Sequence, residues 1–243
     1  MLVVAKFGGT SVANARRIGH AAAILAALAE QGSRVVAVVS AQGDLTDRLL
    51  EKIGQVAASP SEREKDACLA AGENISAALL AMALEERGIP AVSLAGWQMG
   101  LATEDTHGNA RVLALTGGRI FRELEQGKVV VAAGFQGVDS KQDVTTLGRG
   151  GSDTTAVALS AFLQADKCLI YTDVDGVYDK DPRVFAEAVK YPFIDYDAML
   201  ALCAGGAQVL HDRCVALAKE KGITLEVRSA FRDVPGTLVG PGK

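Results

Sequence analysis

An α/β architecture with a mainly parallel central sheet is what this sequence predicts, on three observations. Short β-rich runs alternate with long helical ones, the signature of strands joined by crossover helices. The strand runs are continuously apolar rather than alternating, as expected for strands buried on both faces. The material for the core is aliphatic: 49% of the 243 residues are hydrophobic and only 5% aromatic.

The predicted strands are Leu2–Lys6, Arg34–Val39, Ala91–Leu94, Lys128–Ala133, Cys168–Thr172 and Thr224–Arg228. Between them the pattern predicts helices over Val12–Glu30, Thr46–Ala57, Glu62–Arg87, Ala110–Gln126, Asp153–Leu163 and Ala207–Lys221. Ser59-Pro60-Ser61 reads as a turn between two helices, and the Gly- and Pro-bearing stretch Asp233–Lys243 as the segment that closes the domain. With no internal repeat, low-complexity tract or linker, residues 1–243 read as one domain.

Composition removes several function classes. The 25 basic and 29 acidic residues are well mixed, for a net charge of −4, so no basic stripe argues for nucleic acid. No apolar run approaches the roughly 18 residues of a membrane span, and Met1–Lys6 reads as a strand rather than a leader. Cys68, Cys168, Cys203 and Cys214 lack metal or redox spacing, as suits buried thiols in a reducing cytoplasm.

In open α/β sheets ligands bind where strands end and loops lead into helices. Four segments fall at such places. Lys6-Phe7-Gly8-Gly9-Thr10-Ser11 follows the first strand: paired glycines let backbone N–H groups approach a phosphate, and Lys6 adds a mobile charge. A plain tight turn fits it too, and it is neither a Walker A loop nor G-x-G-x-x-G. Ser40-Ala41-Gln42-Gly43-Asp44-Leu45-Thr46-Asp47 suits a helix cap and a carboxylate pocket equally. Thr145 to Thr155 combines Gly148, Gly150 and Gly151 with Arg149, whose guanidinium fork fits a carboxylate or phosphate; Asp153 there is also placed to cap a helix. Tyr171 to Tyr178 ends a strand with Asp173, Asp175 and Gly176; it lacks a calcium loop's closing glutamate and fits better a turn holding a nucleotide or its metal.

With those segments in view, the chain resembles the catalytic domains of aspartate kinases, within the amino acid kinase family. The likeness runs from Leu2 to about Val239. It includes Ala71-Gly72-Glu73, Gly96-Trp97-Gln98, His107-Gly108-Asn109-Ala110-Arg111, Ala133-Gly134-Phe135-Gln136-Gly137, Asp181-Pro182-Arg183 and Val227-Arg228-Ser229. The resemblance implies a three-layer αβα sandwich, with an acceptor-binding part over about 1–150 and a nucleotide-binding part over about 151–243. It implies transfer of the γ-phosphoryl of MgATP to the side-chain carboxylate of L-aspartate, opening lysine, threonine and methionine synthesis. Lys6 would sit on the transferring phosphoryl, oriented by Asp153, with Gly8, Gly9 and Ser11 lending donors. Ser40, Thr46, Glu73, Arg149 and Ser152 would hold the amino acid, and Thr172, Asp173, Tyr178, Arg183 and Gln208 the nucleotide. ATP and Mg²⁺ are the cofactors implied, no resident metal ligand is assigned, and a homodimer in the cytoplasm is the expected form. His107 and His211 read as structural or surface residues, and Trp97 as packing rather than an adenine stack.

Two departures stand out. Where the family carries Gly-Ala-Lys-Val-Leu-His-Pro-Arg, this chain has Gly206-Ala207-Gln208-Val209-Leu210-His211-Asp212-Arg213. The missing cation costs on the order of 10²–10³ in turnover if nothing replaces it, and Lys180 and Lys219 are the candidate replacements. The sequence also ends at Lys243 without the regulatory ACT domains of the family, so either it is a fragment of a longer protein, or regulation is expected on a separate chain, or there is none. Two other readings stay open: the same fold with another acceptor (glutamate, acetylglutamate or a nucleoside monophosphate), and a ligand-binding subunit without turnover.

Overall fold

The computed structural model describes residues 1–207 and 209–242. Strand β1 (Leu2–Phe7) runs through the middle and sets the layering. Successive side chains of a strand point to opposite faces, so Leu2 and Val4 enter one hydrophobic cluster and Val3, Ala5 and Phe7 the other. A strand buried on both faces needs helices on both sides.

In chain order the elements after β1 are α1 (Ala15–Glu30), β2 (Arg34–Val39), α2 (Leu45–Val56), α3 (Glu62–Leu69), α4 (Ala71–Glu85), β3 (Ala91–Leu94) and α5 (Gly96–Met99). Then come β4 (Leu101–Thr103), β5 (Val112–Leu115), α6 (Gly118–Glu125), β6 (Val129–Ala133), β7 (Gln136–Val138) and β8 (Val144–Thr146). The last third holds α7 (Gly151–Leu163), β9 (Lys167–Thr172), β10 (Phe193–Asp195), α8 (Tyr196–Ala204), α9 (Asp212–Lys221), β11 (Leu225–Ser229) and β12 (Thr237–Gly240).

Among the described residues, eight strands form the main sheet in the order β10-β12-β11-β9-β1-β2-β6-β3, parallel except where β12 runs against β11. Ile18, Ala22 and Leu25 of α1 with Leu80 and Leu84 of α4 cover one face. Leu124 of α6, Val157 and Leu159 of α7, Met199 of α8 and Val215 of α9 cover the other. This is the predicted αβα sandwich. Each fully buried aliphatic side chain contributes about 1.5–3 kcal/mol as an upper estimate. The stretch Glu62–Glu85 passes the length and hydropathy test for a membrane span, yet half of its apolar window is buried within the fold, where α4 packs on α1, β3 and β6.

Several expected elements differ. The helix expected over Ala110–Gln126 is strand β5 followed by the shorter α6, because Val112–Leu115 pairs antiparallel with β4 in a second sheet, ordered β5-β4-β7-β8. That sheet is built from three- and four-residue strands too short to show a period, which is why its pairing was invisible. The last helix starts at Asp212 rather than Ala207, and α8 with β10 and β12 was not anticipated. Asn14 caps α1 by accepting from Arg17 N at 3.1 Å, trimming the expected start at Val12. The Ser59-Pro60-Ser61 turn holds as read, with Ser61 capping α3.

Candidate active site

The carboxyl ends of β1, β2, β6 and β9 share one edge of the sheet, and the glycine-bearing loops leave from there. The loop after β1 lies against the loop after β2: Gly43 N donates to Gly9 O at 3.0 Å, and a Cβ on Gly9 would stand 2.6 Å from the Ala41 carbonyl. Only glycine permits that approach. Lys6 belongs to the Leu2–Val4–Lys6 face of β1, so at the sheet edge its amine emerges toward α7. There Nζ lies 2.6 Å from Asp153 Oδ1, with both side chains 12% exposed. The approach is that of an ion pair and is poorly aligned as a hydrogen bond.

Asp153 does not cap α7. The cap is Gly150, in a left-handed conformation (φ 67°), and a Cβ there would stand 2.3 Å from His211 Cβ. Helix α7 therefore starts at Gly151 and places Ser152 and Asp153 in its first turn, where a negative charge is favoured by the helix dipole.

A cleft of about 670 Å³ opens beside this pair, and Lys6, Ser40, Thr46, Glu73, Arg149, Ser152 and Asp153 all line it. Glu73 lies on α4, 4% exposed. Its Oε1 accepts from Ala41 N at 2.9 Å, while Oε2 has no partner among the described residues. Burial pushes the Glu73 carboxyl up to about 7, against the lowering effect of the Ala41 N–H. Arg149 lines the same cleft and is exposed, without an ion-pair partner among the described residues. The cleft thus combines a buried carboxyl with an exposed guanidinium in its lining, groups that match the two charges of a zwitterion.

A second cleft, of about 600 Å³, lies beyond the end of β9 and is lined by Thr172, Asp173, Tyr178 and Arg183. Tyr178 donates to Asp175 Oδ1 at 2.8 Å, and the Arg183 guanidinium pairs with Asp181 at 3.0 Å. A third, of about 770 Å³, shares Arg149, Gly150 and Asp153 with the first and Gly206 and Ala207 with the second. The three adjoin as a trough, with Asp153 of the Lys6–Asp153 pair lining both the first and the third.

Not every predicted residue faces this trough. Gly8 lies beside Lys6 Nζ, since a Cβ there would be 3.5 Å from it. Ser11 is 2% exposed, its N–H is taken by the Gly8 carbonyl at 2.8 Å, and its hydroxyl has no partner among the described residues. Gly9 packs on Ala41. Gln208 lies outside the described residues. Of its candidate replacements, Lys180 lines the second cleft, whereas Lys219 pairs with Asp197 on the surface at 2.6 Å. Trp97 is 58% exposed, so its expected packing role does not hold.

Sequence reasoning missed Asp66 of α3, which is 1% exposed. Its carboxylate accepts from Gly108 N (2.9 Å), Thr146 N (2.9 Å) and Thr146 Oγ1 (2.6 Å), and Oδ2 lies 3.1 Å from His107 Nδ1. Asp66, Gly108 and Thr146 all line the first cleft, so this buried anion holds its wall. Arg213 of α9 does similar work, donating to Asn109 Oδ1 and the carbonyls of Leu147 and Ala110. The motif pieces His107-Gly108-Asn109 and Thr145-Thr146 were the available signal; an aspartate inside a helical run gave none.

The description "Amino acid kinase family" matches residues 1–229. The chain belongs to the amino acid kinase family. An aspartokinase from Geobacillus stearothermophilus is 52% identical over 98% of the chain, and the chain spans 58% of that protein's length. The solved aspartate kinase from Synechocystis superposes with a TM-score of 0.88 at 45% identity, covering all of this chain and 40% of its own. E. coli aspartokinase III, in complex with aspartate and ADP, gives 0.87 at 29% identity over all of this chain and 65% of its own.

Proposed function

We propose that the chain transfers the γ-phosphoryl group of ATP to the side-chain carboxylate of L-aspartate, giving 4-phospho-L-aspartate and ADP. The observation that carries the reading is the position of the Lys6–Asp153 pair, where a cleft with a buried Glu73 and a free-standing Arg149 meets the trough toward β9. The aspartokinase relatives and the aspartate- and ADP-bound neighbour support it.

In this reading Glu73 takes the α-ammonium of aspartate, Arg149 its α-carboxylate, and Ser40, Thr46 and Ser152 fix the side chain at the mouth of the trough. The acceptor carboxylate is ionised at neutral pH and needs no general base. Its oxygen attacks the γ-phosphorus while the bond to the β-phosphate oxygen breaks and ADP leaves. The protein's part is in-line placement and charge neutralisation: Lys6 meets the transferring phosphoryl, Asp153 keeps its amine at the junction, and the N–H groups near Gly8 add donors. Thr172, Asp173, Tyr178 and Arg183 hold the nucleotide. Carboxylates of Asp173, Asp179 and Asp181 on that cleft suit a hard cation reached through water, which fits Mg²⁺. Held there by Asp173, Asp179 and Asp181, Mg²⁺ would supply charge neutralisation to the polyphosphate.

The test is a coupled ADP-release assay with MgATP, with and without L-aspartate, trapping the acyl phosphate with hydroxylamine. Aspartate-dependent hydroxamate is expected, and Lys6→Ala is expected to lose about 10²–10³ of it. The neutral Gln208 favours one other reading, an impaired ligand-binding subunit. ATP binding without hydroxamate, with turnover restored by Gln208→Lys, would establish that instead.

A further inference from the structure

Behind the acceptor wall, the turn between β4 and β5 meets the turn between β7 and β8. His107 of the first and Asp139 and Asp143 of the second each offer one ligand atom, all within 4.8 Å of one another. None of the three lines the clefts described above.

The surroundings are built to present these atoms. Buried Asp66 stands 3.1 Å from His107 Nδ1. Asp66 already accepts from two backbone amides and a hydroxyl, so as a carboxylate it draws the imidazole proton to Nδ1 and leaves Nε2 with a lone pair. A carboxylate holding one ring nitrogen while the other faces a ligand position is the usual support of a metal-binding histidine. Asp139 is 5% exposed, and its Oδ1 accepts from Lys141 N and Asp143 N at 2.9 and 2.8 Å. Arg63 occupies Asp143 Oδ1 at 2.7 Å. Each aspartate therefore keeps Oδ2 for another partner.

Charge points the same way. Asp66, Asp105, Asp139 and Asp143 surround the ring, against Arg63 and Lys141. Three acceptors converge with a surplus of negative charge, which a cation between them would relieve.

We propose that His107 Nε2, Asp139 and Asp143 form a site for a divalent transition cation of the zinc class. Water completes the shell. One imidazole nitrogen with two carboxylates suits zinc or manganese better than calcium, which takes oxygen ligands alone. The ion clamps the two turns together and, through Asp66, steadies Gly108 and Thr146 on the acceptor wall.

The test is calorimetric titration of zinc chloride into the full chain after EDTA treatment and dialysis, without nucleotide or amino acid. One zinc per chain with micromolar affinity is expected, together with a rise in melting temperature. His107→Asn keeps a donor toward Asp66 but removes Nε2; it and Asp139→Asn should each weaken zinc at least tenfold. The metal-free melting point of His107→Asn should stay near that of the parent. A parent chain that binds no zinc, or a His107→Asn chain that binds it as tightly, overturns the site. Should His107→Asn not fold, the visible spectrum of the Co²⁺-loaded parent decides: ligand-field bands support the site and their absence overturns it.

Discussion

The wall of the first cleft and the segment after β9 are held by opposite means. Around the first cleft two carboxylates are buried and bound to backbone, Asp66 gathering Gly108 and Thr146 and Glu73 taking the Ala41 amide, while the half-buried Arg213 ties the turns before α7. From Asp173 to Pro192 the ion pairs other than the half-buried Lys190–Asp175 lie in solvent, Arg183–Asp181 with side chains 66% and 38% exposed, and Val184, Phe185 and Val189 stand out from the surface. Buried hydrogen-bonded charges fix a geometry because breaking them leaves an uncompensated ion; exposed pairs hold little. One half of the trough is thus preorganised and the other adaptable, which suits a small zwitterion on one side and a large, hydrated polyphosphate on the other.

The comparison breaks most visibly at Glu73. Its carboxyl is protonated below about 7 and charged above, so aspartate affinity should improve as pH rises through that value. Glu73→Gln should flatten this dependence and raise KM for aspartate by roughly 10², as expected for a lost charge-assisted contact. The same shift has the opposite sign for stability. Between the ordinary carboxylate value of 4.5 and about 7 the folded state binds more protons than the unfolded, so stability falls as pH rises across that window. Urea midpoints at pH 5 and pH 8 should differ less for Glu73→Gln than for the parent. An unchanged KM profile would remove Glu73 from the acceptor site.

Asp66→Ala sharpens the claim that the acceptor wall is preorganised. Removing a buried carboxylate that satisfies three donors should cost about 3 kcal/mol, read as a lower urea midpoint, with KM for aspartate raised more than KM for ATP. Equal effects on both would mean that the two sides are not separately held. The smallest effect belongs to the exposed side. Arg183→Ala should change stability by less than about 1 kcal/mol and raise KM for ATP only a few-fold, with kcat nearly unchanged.

How much of this was legible in advance varies with how local the cause is. The long apolar strands and the helices between them show their period within a dozen residues, and the glycine loops mark the strand ends, so six strands of the main sheet and the loops carrying Lys6, Arg149 and Asp153 could be named, while Glu73 was named through the family resemblance. The small sheet could not: Val112–Leu115 reads as helix until β4 pairs with it. Ser11 looked like a phosphate donor by its place after Gly8-Gly9, yet the tight turn itself uses its N–H.

By itself, then, the sequence determined a mainly parallel sheet with helices on both sides and the glycine loops at its edge, because hydrophobic periodicity and turn chemistry act over short distances, while its motifs carried the family resemblance that implied the αβα sandwich. Only the tertiary structure decided that Asp66 is a buried hub, that Gly150 rather than Asp153 caps α7, and that His107, Asp139 and Asp143 converge. Each of those depends on contacts between elements far apart in the chain, where burial and charge are set by neighbours that no local pattern records.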